Sequence, residues 1–208
     1  MRSRRTTRQR FEGRIAGVGS SSGVRVVVGR WGRSPLGAFA DAMIATPEGR
    51  RILLAPSREV ADFVAATYSF DEVRIEPFEV TGQDAWQVRS PSLTLALAVG
   101  RRTWLGWLLR AVPRRLATSP TWCTVTDPVA RVVMRGVRTR GSAGNGRREF
   151  YAATDHRAVL SASGTLDGAP LGALAPVSPE PGFGFSSTPA RPSVTTLVTT
   201  VELPGRRG

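Results

Sequence analysis

The chain has 208 residues, 41% hydrophobic and 22% charged, a balance typical of soluble globular proteins long enough to bury a substantial core. All 29 basic residues are arginine against 16 acidic residues, so the formal net charge is +13 and anionic partners are favoured. The lack of lysine excludes Schiff-base, Walker A and lysine general-base mechanisms, and a single cysteine, Cys123, excludes an intramolecular disulfide framework.

The start, MRSRRTTRQRF, is basic but has no apolar run behind it, so it does not read as a secretory leader. Nor does any run approach the ~20 apolar residues of a transmembrane helix. A reducing, cytoplasmic setting is expected. Residues 1–10 read as a disordered basic arm, residues 11–203 as a single globular domain and residues 204–208 as a flexible tail.

From Phe11 the pattern turns to strands. RIAGVG and VRVVVG flank a polar turn, SSSG, and the β-branched run favours an extended backbone. GSSSG (19–23) also matches G-x-S-x-G, but a nucleophile elbow needs a helix after it and VRVVV is a strand. A hairpin loop is therefore the expectation for Ser21, against a triad with Asp127 and His156. DAMIATPEGRRILLAP reads as a second hairpin turning at PEG. SREVADFVAATY follows as an amphipathic helix, with Ser57 as N-cap and Val60, Phe63, Val64 and Tyr68 at helical spacing.

DEVRIEPFEV, AWQVRS and SLTLALAV alternate with period two and predict a meander. RRTWLGWLLRAV is apolar on most faces, which predicts a helix buried in protein or lining a pocket, with interfacial membrane binding as the other reading. TDPVARVVM predicts a helix capped by Asp127, with Pro128 at its first position. REFYAAT, AVLSASGTL and SVTTLVTTVEL read as further strands, the last two separated by a Pro/Gly-rich connection too apolar for simple disorder. The fold class that follows is α+β, mainly antiparallel: a curved sheet or β-barrel of roughly eight to ten strands with two or three inserted helices.

The glycine-rich stretch RGVRTRGSAGNGRREF lacks the phosphate-loop lysine and any G-x-G-x-x-G pattern, so no nucleotide cofactor is expected. One histidine and one cysteine make a poor metal set, and none is expected either. If 147–156 is an unbroken strand, Arg148, Phe150 and His156 share one face and Glu149 and Tyr151 the other. The candidate ligand-binding residues are Arg148, Phe150, His156, Tyr151, Arg140, Trp107 and Phe185. The leading functional expectation is a barrel that binds a small anionic or partly apolar molecule, with no secure catalytic motif. Two alternatives stand beside it: a nucleic-acid-associated protein using the basic arm, and a peripheral membrane protein attached through the basic arm and the helix carrying Trp104 and Trp107.

Overall fold

The computed structural model describes residues 7–119, 121–124, 127, 139–142, 147–184 and 188–203. Its strands form one sheet, and its main path runs β5 (Glu72–Ile75), β4 (Arg51–Ala55), β3 (Phe39–Ala45), β2 (Arg25–Arg33), β1 (Thr7–Ser20), β13 (Ser193–Leu203), β10 (Arg148–Leu166), β8 (Leu93–Arg102), β7 (Ala85–Arg89), β6 (Glu79–Thr81). The N-terminal half of that path is built from hairpins. β1 (Thr7–Ser20) and β2 (Arg25–Arg33) turn at the serine loop, and β3 (Phe39–Ala45) and β4 (Arg51–Ala55) turn at Thr46–Arg50. Gly49, at a φ of +87°, supplies the left-handed residue of the second turn.

Helix α1 (Arg58–Ala65) begins where the sequence predicts it: the Ser57 hydroxyl accepts from the Val60 N–H. It buries Val60, Ala61 and Val64 against Leu53 and Ala55 of β4 and returns the chain to β5 (Glu72–Ile75), which pairs parallel to β4. The expected meander is thus confined to β6 (Glu79–Thr81), β7 (Ala85–Arg89) and β8 (Leu93–Arg102).

Beyond β8 come α2 (Trp104–Ala111), α3 (Arg114–Ala117), β9 (Arg140–Ser142), the 19-residue β10 (Arg148–Leu166), the short β11 (Ala169–Pro170) and β12 (Leu174–Ala175), and β13 (Ser193–Leu203). β13 lies between β1 and β10 and joins the two halves of the sheet. The strand β1 starts at Thr7, and Thr7–Arg10 pair with Leu203–Thr200, so the end of the presumed arm belongs to the sheet. The helix expected from Asp127 lies outside the described residues, apart from Asp127 itself, whose carboxylate accepts from the Thr139 N–H at 2.8 Å.

The sheet curls because its two edge strands, β5 and β6, are neighbours in the chain. Only Glu76, Pro77 and Phe78 separate them, so these ends lie within about 14 Å of each other. No ladder joins β5 to β6, and the barrel is open rather than closed. Side chains bridge the seam region. Glu76 accepts from the Ser92 N–H and Oγ at 3.2 and 2.7 Å, and Arg74 donates to Asp167 at 2.6 Å.

Period-two alternation sends Ala16, Val18, Val26, Val28, Leu95 and the fully buried Trp86 into the concave interior. Each large apolar side chain buried in this way contributes about 1.5–3 kcal/mol. One end of the interior is plugged by the Pro/Gly-rich connection: Leu171 enters the core and Ala175 pairs with Gly19 at the end of β1.

Candidate functional site

Along β1 the inward positions change character, from Val18 and Ala16 to Arg14 and Glu12. Along β2 they change from Val26 and Val28 to Arg30. Both strands therefore carry their charges to the same end of the barrel. A cleft of about 780 Å³ opens there, lined by Arg14, Arg30 and Arg114, with Ala40, Phe78 and Val80 giving it apolar walls.

Arg14 and Arg30 are directly opposite each other in the β1–β2 ladder, a like-charge pairing that is unfavourable in an empty site. Their partners are neutral. Arg14 Nη1 donates to Gln83 Oε1 at 3.4 Å, and Arg30 Nη1 donates to the Gly82 carbonyl. Arg114 is held at the rim by Glu12, at 3.1 Å. β10 contributes Thr154, and β13 contributes Thr196.

None of the described site residues expected from the sequence lines this cleft. The presumed common face of Arg148, Phe150 and His156 is broken by a β-bulge. Ala153 pairs with Leu197 but Asp155 with Thr196, so Thr154 is an extra residue. His156 therefore pairs with Thr195 and shares the face of Tyr151, whose partner is Thr199. Phe150 is buried with Cys123, Ala152 and Val198. The exposed Arg148 guanidinium lies 5.8 Å from the Phe150 ring centroid. Arg140, also exposed, pairs with Phe150 from β9. Trp107 stands in solvent, and Phe185 lies outside the described residues.

His156 is buried beside α2. Its Nδ1 meets Thr103 Oγ1 at 2.9 Å, and Nε2 is enclosed with no partner among the described residues. Burial pushes its pKa down despite the neighbouring Asp155. Burial acts to raise the Asp155 carboxyl, but the two-pronged bond from Arg102 and the His156 N–H hold it below the ordinary range. Cys123 is no partner for this imidazole. Burial pushes its thiol up to about 11, so it stays protonated and unreactive. Ser21 sits at the β1–β2 hairpin tip and accepts from the Ala173 N–H at 2.9 Å, as a loop serine does.

A second polar centre lies on the opposite, convex face. Tyr151 donates to Glu149 Oε2 at 2.7 Å, Tyr68 bonds the same oxygen at 3.1 Å, and the two phenols also hydrogen-bond each other. Burial raises the Glu149 carboxyl, while the two phenol bonds and the Arg147 charge oppose it. Both tyrosines are raised well above their ordinary value, by burial first and by the Glu149 charge second. Asp41 adds a further charge near Tyr68 and is itself pushed up to about 7 by burial, against the bond from the Trp31 indole N–H at 3.0 Å.

This network ties Tyr68, just beyond α1, to β10, and Arg147 reinforces the tie through the Phe63 carbonyl and Thr67 Oγ1. Its geometry is that of an internally satisfied polar brace. No cluster of three or more His, Cys, Asp or Glu side chains that could hold a metal occurs among the described residues.

The chain matches no known family model, no curated protein and no solved structure.

Proposed function

We propose that the protein is a small-molecule-binding module whose barrel mouth holds an anionic, partly apolar ligand. The observation that carries this reading is the inward, face-to-face placement of Arg14 and Arg30 in a cleft of about 780 Å³. Two guanidinium groups that bond only to neutral oxygens among the described residues repel each other across the ladder. A carboxylate, sulfonate or phosphate between them replaces that repulsion with charge-assisted hydrogen bonds. Ala40, Phe78 and Val80 offer apolar walls to the rest of such a molecule. Thr196, paired with Arg14 across the β1–β13 ladder, and Thr154 on the next strand supply polar surface.

Anilinonaphthalene sulfonate, an anion on an aromatic body, is a suitable probe. The native chain should bind it with a fluorescence rise that inorganic phosphate or citrate competes away. In Arg14→Gln/Arg30→Gln the dissociation constant should rise at least about tenfold, the equivalent of one well-made charged contact. Arg148→Ala, remote from the cleft, should leave it unchanged. Equal binding by the native and double-variant proteins would sink the proposal. A short DNA duplex that displaces the probe at low salt but not at high salt would instead favour the nucleic-acid reading.

A further inference from the structure

Helix α2 is not the buried helix its composition suggests. It meets β10 through Gly106, whose Cα approaches so closely that an added Cβ would stand 2.3 Å from the His156 carbonyl oxygen. Its other side faces out. Trp104, Trp107 and Leu108, at i, i+3 and i+4, are 64%, 62% and 57% exposed. Leu160 of β10, packed over Gly100 just before the helix, is exposed as well.

The exposed Arg101, Arg110 and Arg115 flank these apolar groups in the chain, Arg102 pairs with Asp155 and Arg114 with Glu12, and no acidic residue occurs from 101 to 115. The helix is also held firmly in place. Thr103 caps it by accepting from the Gly106 N–H, Arg102 is clamped to Asp155, and the same Arg102 guanidinium lies 4.6 Å from the Trp107 ring centroid.

We propose that α2 is a docking element that inserts Trp104, Trp107 and Leu108 into the interfacial zone of an anionic lipid bilayer. Indole rings and leucines gain from the headgroup–acyl boundary, while flanking arginines reach the lipid phosphates and the negative surface potential. The charge pattern selects this occupant over the others. A second copy of the chain would bring the exposed Arg101, Arg110 and Arg115 of two surfaces together, and like charges would oppose the contact. Nucleic acid would satisfy the arginines but leave the leucines in water. The lipid surface satisfies both. The element lies outside the Arg14/Arg30 cleft, so it stands or falls separately from ligand binding there.

Flotation of the full chain with vesicles tests the proposal. It should float with phosphatidylcholine vesicles containing about 30% phosphatidylserine, weakly or not at all with phosphatidylcholine alone, and less as salt approaches about 0.5 M. Trp104→Ser/Trp107→Ser/Leu108→Ser should lower the partition coefficient about tenfold or more, with an unchanged circular dichroism spectrum because these side chains touch little of the core. Arg101→Gln/Arg110→Gln/Arg115→Gln, which keeps both tryptophans, should lower it on anionic vesicles only. The idea fails if the serine variant floats like the native chain, or if the native chain binds neither vesicle. It also fails if sedimentation shows a native dimer that the serine variant cannot form while vesicle binding is absent.

Discussion

Arg14 illustrates how one residue can serve a site at the expense of the fold. Opposed to Arg30 across a ladder, it costs a few tenths to about 1 kcal/mol in the absence of an anion. Arg14→Gln should therefore raise the denaturation midpoint while weakening probe binding; a variant that loses stability and binding together would point to a structural role instead. Asp41 carries a different tension. Burial lifts its carboxyl from 3.8 to about 7, so the folded state holds a proton that the unfolded chain has released. Between these two values the folded form binds more protons, and stability falls as pH rises from about 4 to about 7, by on the order of 4 kcal/mol. Asp41→Asn keeps an oxygen for the Trp31 N–H and removes the titration. Denaturant melts at pH 5 and pH 8 should show a large difference in the native chain and a much smaller one in the variant. Parallel pH dependence in both would place the titrating group elsewhere.

Individual elements show what local pattern can and cannot reveal. The start and buried face of α1 were legible, because a serine cap and apolar residues at helical spacing act within one turn, although the helix ends at Ala65, short of Tyr68. The serine hairpin and the Thr46–Arg50 turn were legible for the same reason. The inward switch from Ala16 to Arg14 and from Val28 to Arg30 was also present in the alternation, but its meaning depends on β1 and β2 ending at one mouth. The Thr154 bulge was not legible. Period two is preserved through REFYAAT, and the shift arises only where β10 must stay in register with β13. α2 was misread because apolar composition cannot say which side finds a partner, and here a glycine supplies the contact. That contact is testable. Gly106→Val should force α2 away from the His156 carbonyl, strain the Arg102–Asp155 clamp and cost about 1–3 kcal/mol, the usual penalty of overpacking. A variant as stable as the native protein would show that α2 floats on the sheet rather than being seated in it.

At the scale of the whole molecule, the unusual feature is a barrel whose two edges are joined by covalent chain but not by a ladder. β1, β13 and β10 form long, continuous pairings, whereas β5 and β6 have only four and three residues. Closure near the seam therefore depends on brackets such as Glu76 with Ser92, and the sheet should open there first. Amide exchange in β5 and β6 should be faster than in β1 and β13 under native conditions. Glu76→Ala removes the acceptor of two hydrogen bonds from a half-buried position, at a cost of about 1 kcal/mol. Its effect should be confined to β6, β7 and the Ser90–Leu93 turn, with exchange in the long central strands unaltered. The seam lies beside the cleft, since Phe78 and Val80 line it, so loosening this edge should also weaken probe binding without any change to Arg14 or Arg30. If exchange instead accelerates uniformly through all strands, the sheet opens as one cooperative unit and the seam is not its weak point.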